Sequence, residues 1–111
     1  MIDQVRPRGL ANWLQQQAGP ALVLDVREPA ELKVAGVIPD GFELLQIPMN
    51  DIPARLAELD ARRPVAVLCH HGARSQRVAM YLASNGFAAI ANIAGGIDAW
   101  SLERDASVPR Y

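Results

Sequence analysis

One short stretch gathers the reactive side chains of this 111-residue chain: Cys69-His70-His71-Gly72-Ala73-Arg74-Ser75. Cys69 is the only cysteine. A thiol reacts as its thiolate, which is favoured at a helix N-terminus and beside cations. Both conditions are written into the neighbouring residues. Val65 to Leu68 is a short apolar run led by a β-branched residue and bounded by Pro64, the pattern of a strand buried on both faces. Beyond Gly72 the period changes: Val78, Ala79, Leu82 and Ala83 share one helical face, and Asn85-Gly86 forms a stop signal. Cys69 therefore lies where a strand ends and a helix begins. The amides that open a helix lack intrahelical partners and carry the positive end of its dipole. Gly72 allows a tight loop that turns several N–H groups inward as an anion nest. Arg74 adds charge, and His70 and His71 add donors. Cys69 is expected to be substantially ionised at neutral pH, and so a nucleophile. A free cysteine in an apolar strand is more often a small core hydrophobe. The polar residues that follow it here are not core material, and they favour the reactive reading.

Cys69, His70 and His71 are poor metal ligands, because three consecutive residues do not easily wrap one tetrahedral ion and no second ligand pair exists elsewhere. Neither a metal nor a cofactor is expected. The two histidines are expected to line the mouth of the pocket.

The positioning elements follow in chain order. Asp3 to Arg6 predicts a short edge strand ended by Pro7. Leu10, Trp13, Leu14 and Gln17 make one face of a short helix stopped by Ala18-Gly19-Pro20, with Trp13 as core. Ala21 to Leu24 predicts a buried strand that delivers Asp25 to the edge carrying Cys69, if the two strands are parallel. A bare carboxylate there would oppose ionisation of the thiol. Asp25 and Arg27 are therefore read as structural support of the loop: the acids pair with Arg27 or Arg74 and hold loop backbone. Glu28 to Leu32 opens a short helix with proline and acids in its first turn. A glycine- and proline-bearing loop leads to a brief strand ending at Ile47-Pro48. Asn50 or Asp51 is expected to cap the next helix, with Ile52, Leu56 and Leu59 as its buried stripe. Arg62 and Arg63 are expected to be solvated. Phe87 to Ile93 predicts the last strand, Ile97 to Leu102 a closing helix with Trp100 inward, and Glu103 to Tyr111 a loosely packed or frayed tail.

Strands alternating with helices, without repeats or linkers, predict one three-layer α/β domain over residues 1–111, with a mainly parallel central sheet flanked by helices on both faces. A chain this long buries about two-thirds of its unfolded surface and needs no staple. The formal net charge of −1 leaves no basic field for nucleic acid. No apolar run approaches a membrane span, and Met1 to Arg6 lacks the apolar core of a signal peptide. A single cysteine excludes an internal disulfide and fits a reducing compartment, so the cytoplasm is the expected location.

Cys69-His-His-Gly72-Ala-Arg74-Ser75 resembles the Cys-x-x-Gly-x-Arg-Ser/Thr active-site loop of rhodanese (sulfurtransferase) domains. Three further pieces resemble the family in the same order: Asp25-Val-Arg27-Glu-Pro-Ala-Glu31, Ile47-Pro48, and the closing Gly95-Gly96-Ile-Asp-Ala-Trp100. The chain departs from it at Gly36-Val37-Ile38-Pro39-Asp40-Gly41, where many members carry a histidine. The resemblance implies a single-domain sulfurtransferase in which Cys69 takes the outer sulfur of thiosulfate or a similar anionic donor and becomes a persulfide. His70, His71, Gly72, Ala73, Arg74 and Ser75 would bind the donor, and cyanide or an external thiol, on a small molecule or a protein, would accept the sulfur. Protein phosphatases of related architecture place five residues between cysteine and arginine. Here four intervene, which crowds a tetrahedral phosphate. The alternative is a rhodanese-like sulfur carrier or protein-binding module, loaded by a specific partner and showing little thiosulfate activity.

Overall fold

The computed structural model describes residues 2–111. Five four-residue strands form one sheet: β1 (Ile2–Val5), β2 (Leu22–Asp25), β3 (Glu43–Gln46), β4 (Val65–Leu68) and β5 (Ile90–Ile93). Their order is β1-β5-β4-β2-β3, and every pairing is parallel. The register sets Asp25 of β2 opposite Leu68 of β4, and Asn92 of β5 opposite Val67. Connections leave β2 and β4 in opposite directions across the sheet. The crevice between their carboxyl ends is thus the topological switch point, where open α/β sheets bind ligands.

Strand periodicity splits the core into two layers. Leu22, Leu24, Val65, Val67, Cys69 and Ile90 face one side, against α3 (Ile52–Arg55) and α4 (Ala73–Ser84). Val23, Ala66, Leu68, Ala91 and Ile93 face the other, against α1 (Leu10–Gln15) and α5 (Gly96–Glu103). Trp13 and Trp100 both lie in that second layer. Trp13 is core, as its spacing predicts, and its indole N–H donates to Asp3. The remaining helix, α2 (Pro29–Val34), buries no residue. It sits beyond the carboxyl end of β2 and delivers Glu31 to the switch point. Among the described residues, no helix is long and apolar enough to cross a membrane.

Five local expectations are corrected. The last strand starts at Ile90 rather than Phe87, because Ile90 pairs with Ile2 and Val65, the first residues of its two neighbours. Phe87 is buried outside the strand. The helix expected over Ile52, Leu56 and Leu59 is broken into a 3-10 turn (Met49–Asp51), α3, and a second 3-10 turn (Leu56–Glu58). Neither Asn50 nor Asp51 makes a side-chain cap; Pro53, in the first turn, removes one of the amides such a cap would bind. Arg63 is not simply solvated: it pairs with Glu43 and donates to the carbonyl of Pro20, whereas Arg62 is exposed beside Asp60. The C-terminal segment is not frayed. Val108 is buried in the second layer, its carbonyl accepts from Ser101 Oγ at 2.6 Å, and Arg110 pairs with Asp98.

Candidate active site

Cys69 follows β4 directly, and α4 begins four residues later. The chain reverses at Gly72, whose φ of +108° is strained for any residue with a Cβ. That reversal turns two amides onto the cysteine sulfur: Gly72 N–H at 3.1 Å and Ser75 N–H at 3.3 Å. Ser75 Oγ lies 3.2 Å from the same sulfur. Of the amides from His70 to Ser75 expected to ring the sulfur, those of Gly72 and Ser75 reach it. Those of Ala73 and Arg74, which open α4, have no carbonyl within the helix to bind.

The floor of the cradle comes from distant parts of the chain. Ser75 Oγ donates to Asn92 Oδ1 at 2.5 Å, and Asn92 Nδ2 donates to Gln4 Oε1 at 2.9 Å. Asn92 is buried on β5, on the same face as Ile90 and Cys69. Ser75 Oγ thus lies between Asn92 Oδ1 and the sulfur. Behind the loop, Gly96 at the start of α5 packs directly on the backbone. Ile97 N–H donates to the Cys69 carbonyl at 2.8 Å, and Asp98 N–H to that of His70 at 3.2 Å. A Cβ on Gly96 would lie 2.5 Å from the Cys69 carbonyl oxygen and closer still to that of His70. Only glycine allows α5 to approach this closely. The sequence reading missed Gln4, Asn92 and Gly96 as parts of the site. The Gly95-Gly96 pair was their one visible signal.

Two arginine–carboxylate pairs frame the mouth. Asp25 and Arg27 are both fully buried. Arg27 Nη2 and Nε donate to the carboxylate at 2.8 and 2.9 Å, and Asp25 Oδ1 also accepts the Arg27 amide at 3.2 Å. Asp25 pairs with Arg27 and not with Arg74. Arg74 instead forks onto Glu31, Nη1 to Oε1 at 2.6 Å and Nη2 to Oε2 at 2.8 Å. The Arg74 guanidinium holds the Glu31 carboxyl down at about 2, and Glu31 in turn raises Arg74.

Tyr111 joins the loop to both pairs. Its ring stacks on His70 at 3.8 Å, and His70 stacks on the exposed His71 at 3.8 Å. Its hydroxyl donates to Glu31 Oε2 at 2.8 Å and accepts from Arg27 Nη1 at 3.1 Å, while its carbonyl oxygen lies 2.6 Å from His70 Nε2. Cys69 is 1% exposed and belongs to the first core layer. The loop residues Cys69 to Ser75, with Asp25 and Arg27, are brought to one edge of the sheet as expected. Glu31, quoted only as part of a motif, and Tyr111 join them. Among the described residues, no group of three or more His, Cys, Asp or Glu side chains is placed to hold a metal ion.

A cysteine whose sulfur accepts two backbone N–H groups thus lies at the switch point of a parallel sheet. The family model for the rhodanese-like domain matches residues 10–103. A sulfurtransferase from Allochromatium vinosum is 37% identical over 101 residues, which are 91% of this chain and 90% of its own. A rhodanese-like domain protein from Staphylococcus aureus superposes with a TM-score of 0.76 at 27% identity, covering 99% of both chains. A polysulfide-sulfur transferase homodimer from Wolinella succinogenes superposes with a TM-score of 0.71 at 30% identity, over 92% of this chain and 74% of that one. This chain belongs to the rhodanese-like domain family.

Proposed function

We propose that the protein is a sulfurtransferase that moves a sulfane sulfur from thiosulfate or a similar donor to a thiol or cyanide through a Cys69 persulfide. The observation that carries this reading is the pair of N–H groups, from Gly72 and Ser75, directed at Cys69 Sγ. N–H donors of this kind hydrogen-bond negatively charged sulfur at each stage of such a cycle. The thiolate attacks the outer sulfur of thiosulfate; the S–S bond of the donor breaks and sulfite leaves with the electron pair. The Cys69 persulfide anion remains. An acceptor thiolate or cyanide then attacks the terminal sulfur, and Cys69 is released as thiolate. The chain has one cysteine, so an acceptor thiol comes from another molecule.

Gly72, Ala73, Arg74 and Ser75 supply the amide cradle in this scheme, and His70 and His71 stand at its entrance. Asp25 and Arg27 act as loop support, because both side chains are buried and paired with each other. Intact-mass measurement after incubation with thiosulfate tests the proposal. The expected result is a gain of one sulfur atom, removed by cyanide and absent in Cys69→Ala. No gain in the folded protein would favour the alternative, a carrier or binding module loaded by a specific partner.

A further inference from the structure

We propose that Asn92 is a positioning residue for Cys69: it keeps the Ser75 hydroxyl hydrogen turned away from the sulfur, so that a thiolate there rests on backbone N–H groups alone. The inference deepens the sulfurtransferase reading and rests on it for the reaction that Cys69 serves. Asn92 is the one polar residue of β5, among Ile90, Ala91 and Ile93, and is 4% exposed. Burying an amide there costs free energy unless its oxygen and its nitrogen both find partners. Both do, in different directions. Oδ1 accepts from Ser75 Oγ, and Nδ2 donates at 2.9 Å to Gln4, its register partner on β1.

These contacts run in one direction. The Ser75 hydroxyl donates to Asn92, Asn92 to Gln4, and Gln4 Nε2 to Gln76 Oε1 at 2.7 Å, which brings the path back to α4 one residue beyond Ser75. Every donor along it points away from Cys69. The 2.5 Å between Ser75 Oγ and Asn92 Oδ1 suits O–H···O and is short for N–H···O, so the amide presents its oxygen to the hydroxyl. A serine hydroxyl has a single hydrogen. Held by Asn92, it leaves only lone pairs to face Sγ, 3.2 Å away. A thiolate without that third donor is harder to form and more nucleophilic once formed, because nucleophilicity falls as the basicity of the sulfur falls. Asn92 thereby exchanges thiolate population for thiolate reactivity without touching the sulfur.

Cys69 is the only cysteine, so thiol alkylation by iodoacetamide in the full chain reports on it alone. The pH profile of that reaction is measured in wild type, Asn92→Leu, Ser75→Ala and the double variant. Asn92→Leu keeps the bulk of the side chain and frees the Ser75 hydrogen for the sulfur. Its midpoint is expected about one pH unit below wild type, and its rate on the high-pH plateau about threefold lower. In the Ser75→Ala background the same substitution is expected to move neither quantity. Gln4→Ala, at an exposed position, serves where Asn92→Leu does not fold. It unties the Asn92 amide, and the midpoint is expected to move the same way by a smaller step. An unchanged or raised midpoint in Asn92→Leu, or in Gln4→Ala if the first variant does not fold, would overturn the inference. So would a faster plateau, the mark of a site that has merely opened, or an equal shift in the Ser75→Ala background. Alkylation requires no sulfur transfer. The expected profiles in a protein that takes sulfur from neither thiosulfate nor an organic trisulfide would leave Asn92 in its role and remove the sulfurtransferase reading; sulfur uptake with unmoved profiles would do the reverse.

Discussion

Two arginine–carboxylate forks stand a few residues apart at the mouth of this site, and they do different work. Asp25–Arg27 joins residues two apart, is shut off from solvent, and also binds backbone. Glu31–Arg74 joins residues 43 apart, is partly exposed at both ends, and shares its carboxylate with Tyr111. The first fixes the path of the chain as it leaves β2. The second latches α2 to α4 and also holds the Tyr111 hydroxyl. Removing one partner of a buried pair leaves an uncompensated charge in the interior, whereas a solvated pair loses little on dissociation. One fork is therefore scaffold and the other a fastening that can be undone.

The contrast can be broken most forcefully at the buried fork. Arg27→Ala strands the Asp25 carboxylate and is expected to cost about 3–5 kcal/mol. Urea denaturation should show it as a lower midpoint with unchanged slope, and sulfur uptake should fall with the folded fraction. A loss below about 1 kcal/mol, typical of exposed pairs, would erase the distinction between the two forks. Gly96→Ala comes next. Its Cβ would collide with the carbonyls of Cys69 and His70 at a φ of +60°, and the expected loss is about 3 kcal/mol. Uptake of sulfur is expected to drop in the fraction that remains folded, because the collision displaces the cradle itself. Wild-type thermal stability in this variant would show that α5 does not hold the loop.

The smallest effect sharpens the comparison. Glu31→Gln keeps the shape but loses the charge, and is expected to cost under about 1 kcal/mol. Its pH dependence carries the information. Glu31 is held well below the usual carboxylate range, at about 2. Its contribution is in full force above the unfolded value of about 4.5 and fades as pH falls toward the folded value. Melting temperatures of wild type and Glu31→Gln should differ above pH 5 and converge on acidification. A gap that stays constant down to pH 3 would mean that the latch is not electrostatic.

The site was unevenly legible. The placement of the loop from Cys69 to Ser75 between a strand and a helix was legible because strand, turn and helix signals follow one another in a single stretch. Asp25–Arg27 was half-legible: its spacing marked a structural pair, but only the folded loop chose between Arg27 and Arg74. Asn92 gave no signal, since a single amide in an apolar strand reads as a local exception. Its purpose depends on β5 lying beside β4. Glu103 to Tyr111 carried the signals of a loose end, and residues near Tyr111 in sequence give it no partner. Its partners Arg27, Glu31 and His70 come from three separate segments.

What the sequence determined by itself is whatever depends on neighbours along the chain: the alternation of strands and helices, the turn at Gly72, and the approach of helix-opening amides to Cys69. Backbone preference and apolar periodicity act over a few residues, so both can be read there. Tertiary structure alone decided which strands lie side by side, which carboxylate Arg74 grips, and that Tyr111 meets His70, Arg27 and Glu31. Those outcomes follow from burying two apolar layers at once, a condition satisfied only by the whole chain.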